Sequence, residues 1–329
     1  MTSRSVWAAL AVVIAVVLLV IVLVLNPFSG TPAGSGTSGA LFGAFVQPGP
    51  RTGPDRRAAV TSFESLIGRP LAMERVFYRW DEPWPTADDV WTRDAGRIPF
   101  ISWNTRLANG SWVSWADIAA GRDDALLHQR AAALIAFGSP VVFSFNHEPE
   151  NDPAAGSAAD FVAAYRHIHD VFEADGVTNV TYAWTMMAWS FRSGNAAAFY
   201  PGDDVVDIVA ADGYNQYGCA QGNAPWRSFS DIFAPFQSFG AEHGKPMIVA
   251  EWGVHDDPAD PDHAATWFDD AAAQLEQWPD VVGVLYFDAD RGCARWVDDS
   301  AASLAAFRAM GADPYFNPSQ TVLPSPAAG

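Results

Sequence analysis

Eight short apolar segments recur between residues 41 and 288, and a stretch of helical length separates each one from the next. Apolar runs of this length, rich in Val, Ile and Phe, predict buried β-strands. Strands that alternate with helices pair in parallel through right-handed crossovers, and eight such units close most naturally into a barrel. The predicted strands are Leu41–Gln47, Met73–Trp80, Arg97–Asn104, Pro140–His147, Asn179–Met186, Val206–Asn215, Pro246–Gly253 and Val281–Asp288.

The segments between the strands carry the signals of helix ends. Two of them, residues 55–68 and residues 122–138, place apolar residues at helical spacing and finish on a glycine. Ser157 with Asp160 three residues later predicts the start of another helix, and later helices are expected near 228–243, 262–277 and 301–311. The alternative fold is a doubly wound open sheet, which would be expected to show a glycine-rich phosphate-binding turn after its first strand. This chain has none there, so a single α/β domain, a (β/α)8 TIM barrel over residues 41–311, is predicted.

The N-terminal segment from Val6 to Leu25 is wholly apolar and carries no charge. As a helix it would extend about 30 Å, the thickness of a hydrocarbon core. Residues 1–28 are therefore predicted to be a signal peptide or a transmembrane anchor, and the length of the run favours the uncleaved anchor. Arg4 on the short side places the rest of the protein outside the cytoplasm. Residues 29–40 are predicted to be a flexible linker and residues 312–329 a C-terminal tail.

The composition narrows the possible functions. The formal net charge is −19, from 38 acidic and 19 basic residues, and such a chain repels phosphate backbones, so we expect no nucleic-acid partner. Fourteen Trp residues are many for this length, and flat aromatic faces stack on sugar rings. The chain has no HExxH motif, phosphate-binding loop or serine nucleophile elbow, which argues against a metalloprotease, an NTPase or an esterase. No metal or cofactor is predicted, and we expect a monomer.

Two carboxylates follow predicted strands directly. Glu148 comes after the fourth strand and Glu251 comes at the end of the seventh. In a barrel the C-terminal ends of the strands form the active face, and an acid placed there costs desolvation energy unless it is paired or functional. Glycosidic cleavage needs two such groups, one to protonate the leaving oxygen and one to attack the anomeric carbon. Their separation decides between retention and inversion, and the sequence leaves that separation open.

The pair His147–Glu148 together with Glu251 resembles glycoside hydrolase family 26, within a clan of barrel glycosidases, over residues 41–311. The resemblance implies that Glu148 is the general acid/base and that Glu251 is the nucleophile. It also implies that His147 binds near the sugar and that Tyr214 holds the nucleophile. The expected function is a retaining endo-β-glycanase that cuts β-mannan or β-1,3/1,4-glucan, with β-1,3-xylan as a further substrate known in the family.

The chain departs from that family at the eighth strand. The family often has a Trp there as the floor of the −1 sugar site, whereas this chain has Tyr286 and Phe287. Other candidates for binding sugar are Trp103, Asn104, Trp184, Trp189, Trp226 and Trp252, with Arg79, Trp80 and Asp81 as candidates for the distal cleft. An acidic loop at residues 255–263 could hold an ion, but a solvated loop is the favoured interpretation.

In the barrel that the resemblance implies, Cys219 and Cys293 lie in loops on the active face. They are predicted to form a disulfide, which would require an extracytoplasmic location. The alternative function is a membrane-tethered, non-catalytic glycan-binding protein of the cell envelope, against which the presence of both acids argues. A glycosidase acting on the organism's own envelope polysaccharide stays open as a third possibility.

Overall fold

The computed structural model describes residues 39–219, 224–257, 259–260, 262–318 and 323–324. The predicted anchor and nearly all of the predicted linker lie outside the described residues. Among the residues described, no helix is both long enough and apolar enough to cross a membrane.

Eight parallel strands form a closed barrel, in which each strand pairs with the next in sequence and the last pairs with the first. Every predicted strand is present, with bounds that differ by no more than two residues, so the predicted (β/α)8 barrel is confirmed. The strands are β1 (Leu41–Val46), β2 (Met73–Tyr78), β3 (Ile98–Trp103), β4 (Val141–Phe145), β5 (Val180–Met187), β6 (Ile208–Asn215), β7 (Met247–Val254) and β8 (Val281–Asp288).

Helices surround the barrel, and the six predicted ones begin and end within about two residues of the predicted bounds, whereas Ala87–Asp94, Trp115–Ala119 and Ala188–Ser193 were not predicted. The Asp55 side chain accepts a hydrogen bond from the backbone of Ala58, and Gly68 ends that helix in the left-handed conformation at φ 78°. Ser157 and Asp160 form a capping box. The helices are Arg56–Ile67, Ala87–Asp94, Trp115–Ala119, Asp124–Phe137, Ala158–Ala174, Ala188–Ser193, Phe229–Glu242, His263–Glu276 and Ala301–Ala312.

Side chains alternate between the two faces of each strand, which creates two separate cores. The inward-facing residues fill the barrel interior with Leu41, Met73, Phe100, Val142, Ala183, Ile208, Ala210, Ile248, Ala250, Val282 and Leu285. The outward-facing residues pack against the helices in a larger cluster that includes Trp103, Trp184, Trp252 and Tyr286. A side chain at the end of a strand therefore reaches the barrel mouth only if it faces inward.

An irregularity in β7 decides which way its acid faces. Ala211 of β6 pairs with Val249, and the next residue, Asp212, pairs with Glu251, so Ala250 is an extra residue of β7 in this pairing. Ala250 packs in the barrel interior, and strict alternation would send Glu251 outward to the helices. The extra residue behaves as a β-bulge that returns Glu251 to the inside.

Candidate active site

Three carboxylates meet at the C-terminal mouth of the barrel. Oxygen atoms of Glu148, Asp212 and Glu251 all lie within 4.8 Å of one another. Glu148 follows β4, Asp212 lies in β6 and Glu251 lies in β7, so three strands converge on one place. The predicted meeting of Glu148 with Glu251 is therefore present, whereas the sequence analysis did not include Asp212.

Glu148 is presented by an unusual backbone turn. Its φ is 54° and that of Asn146 is 39°, a left-handed conformation that costs energy for a side chain larger than glycine. Hydrogen bonds hold this turn: the Glu148 amide donates to the Thr185 carbonyl at 3.1 Å, and Asn146 Nδ2 donates to Asp152 Oδ2 at 2.8 Å. Asn151 Nδ2 donates to Glu148 Oε2 at 3.0 Å. Strained backbone of this kind clusters at functional sites, where the surrounding structure stabilises it.

The surroundings of Glu148 favour its protonated form. Its burial, followed by the negative charge of Glu251, raises the pKa of Glu148 to about 8. Below that pH the carboxyl group keeps its proton, which a general acid must have. Burial also raises the pKa of the neighbouring acid Glu150, to about 7. Glu150 Oε1 accepts a hydrogen bond from the Met187 amide.

Glu251 has partners that favour its charged form. Tyr214 Oη donates a hydrogen bond to Glu251 Oε2, and Arg75 Nη2 lies 3.7 Å from Glu251 Oε1. Burial raises the pKa of Glu251, and this is opposed by the positive charge of Arg75, the Tyr214 hydrogen bond and the charge of Arg295. The two carboxylates of a glycosidase require this contrast, with one protonated and the other ionised.

Asp212 and Arg75 lie beside Glu251 in the barrel interior, where Asp212 is the register partner of Glu251 in the neighbouring strand. Arg75 Nη2 is 3.8 Å from Asp212 Oδ2, and both side chains are completely buried. Burial and the charge of Glu251 raise the pKa of Asp212 well above its usual range, and the positive charge of Arg75 opposes that rise. The signal that could have identified both was a charged residue at an inward position of an apolar strand.

His147 lies beside the acids with its ring 5.0 Å from that of Phe77. Burial and the nearby charge of Arg75 lower the pKa of His147 to about 3, so the imidazole is neutral from about pH 3 upward, which includes the range up to about pH 8 in which Glu148 keeps its proton. A neutral imidazole both donates and accepts hydrogen bonds, which suits contact with sugar hydroxyl groups.

A cleft of about 850 Å³ opens above these side chains. It contains Glu148 and Glu251 and brings together three of the predicted substrate-binding residues: His147, Asn104 and Tyr214. Its other lining residues are Phe77, Phe287, Arg291 and Arg295. We refer to this space as the catalytic cleft.

Four of the predicted sugar-binding residues do not face the catalytic cleft, so those four predictions are wrong. Trp103, Trp184, Trp252 and Tyr286 occupy outward-facing strand positions and are fully buried against the helices. Trp103, for example, stacks on the predicted distal-cleft residue Trp80 at 3.9 Å between ring centroids.

Of the two residues that could replace the strand-eight Trp of the family, Tyr286 and Phe287, it is Phe287 that lies in the catalytic cleft. It faces inward because it is the next residue along β8, and its ring stacks on that of Phe45 at 4.9 Å. Trp189 is 45% exposed beside the catalytic cleft, and Trp226 is half-buried and stacks on His263. Arg79 and Asp81 lie in the loop after β2, where Asp81 accepts hydrogen bonds from the Ala108 amide.

Cys219 and Cys293 form the predicted disulfide, with Cα atoms 5.3 Å apart. Arg295 links this bridge to the site, because Nη1 donates to the Cys293 carbonyl and the guanidinium lies 4.1 Å from the Tyr214 ring centroid. Through Arg295, the disulfide therefore supports the face of the barrel that holds Tyr214, the hydrogen-bond donor to Glu251.

In the described part of the acidic loop after β7, carboxylates accept hydrogen bonds from backbone amides of the same loop. Asp257 accepts from the Ala259 amide, and Asp260 accepts from the Asp262 amide. Among the described residues, the one cluster with metal-ligand spacing is Glu148, Asp212 and Glu251, and Arg75 already places a positive charge beside two of its members.

Comparison with known proteins agrees with the geometry. A sequence model described as glycosyl hydrolase family 26 matches residues 138–246, a segment that includes Glu148 and Tyr214. This segment of the chain is therefore similar to glycosyl hydrolase family 26. Endoglucanase H of Acetivibrio thermocellus is 28% identical over 295 residues, which is 85% of this chain and 31% of that protein. The predicted resemblance and the prediction of a glycoside hydrolase are confirmed at the level of the family.

Solved structures of this family share the fold. A GH26 β-mannanase from Bacteroides ovatus superposes with a TM-score of 0.61 at 17% identity, over 87% of this chain and 93% of that one. The catalytic domain of a GH26 endo-β-1,4-mannanase from Bacillus sp. JAMB-750 gives a TM-score of 0.62 at 15% identity, over 89% and 91% of the two chains. At these identities the likeness establishes the barrel fold alone. The chain spans about a third of the length of the curated endoglucanase.

Proposed function

We propose that this chain is a retaining endo-β-glycanase that hydrolyses a β-linked polysaccharide, with Glu148 as the general acid/base and Glu251 as the nucleophile. The observation that carries the proposal is the separation of the two acids. Retaining enzymes hold their carboxyl groups about 5–5.5 Å apart, and inverting enzymes hold them about 6.5–9.5 Å apart to admit a water molecule. Oxygen atoms within 4.8 Å favour the retaining arrangement.

In the first step, the Glu251 carboxylate attacks the anomeric carbon and forms a glycosyl ester. The bond from that carbon to the glycosidic oxygen breaks, and Glu148 transfers its proton to the departing oxygen. The raised pKa of Glu148 keeps its proton available, and Arg75 and Tyr214 stabilise the ionised form of Glu251 against the effect of its burial.

In the second step, Glu148 acts as a base. Ester formation removes the negative charge of Glu251, which is the second cause of the raised pKa of Glu148, so that pKa falls and the carboxylate can accept a proton. Water gives that proton to Glu148 and attacks the anomeric carbon. The ester bond breaks, which restores Glu251 as a carboxylate and Glu148 as an acid.

The substrate class follows from the cleft and the relatives. The catalytic cleft is open and carries Phe287 as an apolar surface beside the acids, which suits the face of a sugar ring within a polymer. β-Mannan and β-1,3/1,4-glucan are the proposed backbones, since the relatives include proteins described as mannanases and as an endoglucanase.

We also propose that residues 41–311 act outside the cytoplasm as a secreted or membrane-anchored domain. The Cys219–Cys293 disulfide supports this location because such bonds persist in oxidising compartments. The uncharged apolar run from Val6 to Leu25 supports it as well.

The experiment is a panel of soluble β-glycans incubated with the wild-type chain and with Glu251→Ala. We expect short oligosaccharides from at least one polymer, a β-configured anomer as the first product by NMR, and loss of nearly all turnover in the variant. An α-configured first product would contradict retention. Retardation on glycan gels without any product would instead identify the alternative, a tethered non-catalytic glycan-binding protein.

A further inference from the structure

Positive charge is distributed unevenly over this acidic protein. Many arginines have acidic partners within the protein, as in Arg97 with Glu64 and Arg166 with Asp204. In the part of the chain that the structure describes, four exposed arginine side chains have no hydrogen bond, ion pair or aromatic ring as a partner: Arg79, Arg192, Arg227 and Arg291. All four lie in the segments that follow the C-terminal ends of strands, on the face that holds the catalytic cleft, and Arg192 is in the short helix Ala188–Ser193.

Two of these arginines line a cavity next to the catalytic cleft. Arg192, after β5, and Arg227, after β6, border a space of about 660 Å³ together with Trp189 and Gln216. Tyr214 lines both this space and the catalytic cleft, so the two are neighbours. The space combines an exposed indole with two positive charges.

A third arginine lies on the other side of the catalytic cleft. Arg291, in the loop after β8, lines the catalytic cleft and also a cavity of about 890 Å³ that contains Phe45 and Phe77. Those two rings belong to β1 and β2, which lie across the barrel from β5 and β6 in the strand order. Unpaired positive charge therefore flanks the catalytic residues on both sides.

The acidic side chains of the same loops are already engaged within the protein. Asp298 and Asp299 pair with Arg51. Asp290 accepts from the Gly292 amide, in the same loop as Arg291. Glu82, near Arg79, accepts from a backbone amide. These acids have internal partners, whereas the four arginines do not.

We propose that the substrate is an acidic β-glycan, whose sugars on either side of the cleaved bond carry carboxylate or phosphate groups. This inference rests on the proposed function and specifies its substrate class. Arg192 and Arg227 would bind an anionic substituent while Trp189 stacks on the sugar that carries it, and Arg291 would bind a substituent on the opposite side. Guanidinium groups suit this role because their planar donors match carboxylate and phosphate oxygens.

The test separates binding from catalysis. Glu251→Ala is run by affinity electrophoresis through gels that contain neutral β-mannan or β-glucan, or the carboxymethylated or phosphorylated form of the same polymer. We expect the charged forms to retard the protein more than the neutral ones, although the protein itself carries a net charge of −19. The retardation should weaken as salt is added, because salt screens exposed charges. The two charged forms show which anion is preferred.

Arginine variants in the same background identify the binding groups. Arg192→Gln, Arg227→Gln and Arg291→Gln should each weaken binding of the charged polymer about threefold to fivefold, the effect of an exposed ion pair, and should weaken binding of the neutral polymer less. Arg122→Gln is the matched control, because it removes the same charge from the same face of the barrel. Arg122 is exposed, pairs with Asp117 and lines neither of these cavities. Equal retardation by neutral and charged polymers, or an equal loss in the control, overturns the proposal.

Turnover by the wild-type chain distinguishes this proposal from the one on which it rests. If neutral polymer is hydrolysed and charged polymer is neither bound nor hydrolysed better, the substrate class is wrong and the glycanase function stands. If charged polymer binds through the arginines and no polymer is hydrolysed, the catalytic function is wrong and the binding site stands.

Discussion

Replacing Glu251 with Gln should lower the pKa of Glu148, because the variant removes a neighbouring negative charge and leaves the shape of the site almost unchanged. Two unit charges within 4.8 Å interact by roughly 3 kcal/mol at an effective dielectric constant of 20. That energy corresponds to about a hundredfold change in the acid dissociation constant of Glu148. Burial is the larger cause of the raised pKa of Glu148, about 8, and the variant does not change it. The pKa of Glu148 should therefore fall without reaching the usual range of a glutamate.

The assay is a pH titration followed by NMR on protein labelled with ¹³C at the glutamate carboxyl carbon, with Glu148→Gln to assign the resonance. Glu242→Gln is the control, because Glu242 is at the end of an outer helix and its loss should leave the Glu148 titration in place. An identical Glu148 titration in wild type and Glu251→Gln would show that the two carboxylates do not interact. The double-displacement assignment would then have no electrostatic basis.

Three further predictions concern the same face of the barrel. Tyr214→Phe removes the hydrogen bond that lowers the pKa of Glu251, so the acid limb of the kcat/KM profile should move to higher pH. The value of kcat/KM should fall roughly tenfold to a hundredfold. An acid limb at the same pH as in the wild type argues against this role of Tyr214. Glu148→Ala should lose most activity on polysaccharide but keep part of it on aryl glycosides with activated leaving groups, which need no acid; equal loss on both would refute the roles assigned to the two acids. The double change Cys219→Ser and Cys293→Ser opens a loop of 74 residues and should lower the free energy of unfolding by roughly 4 kcal/mol on the chain-entropy model. Denaturant titration of the variant beside the oxidised wild type measures this difference. An unchanged denaturation midpoint would contradict the prediction.

Much of the site was predictable because barrel strands deliver their C-terminal residues to one face. The apolar runs before Glu148 and Glu251 located both acids at strand ends, and the comparisons support the family that His147–Glu148 indicated. The aromatic assignments were less successful. Trp252 and Tyr286 lie within one residue of the inward-facing Glu251 and Phe287, yet both point into the outer core. Residue type alone does not reveal the facing side when a strand contains a register shift.

The sequence by itself determined the eight strands, six of the helices between them and the two acids at the barrel mouth, because hydrophobic periodicity and helix-end signals are local properties of the chain. Only the tertiary structure decided that Asp212 and Arg75 lie beside Glu251, and that Ala250 is the extra residue that turns Glu251 inward. These features depend on how strands pair around a closed barrel, and strand pairing joins residues far apart in sequence. The direction of a side chain and the charges near it are properties of that pairing.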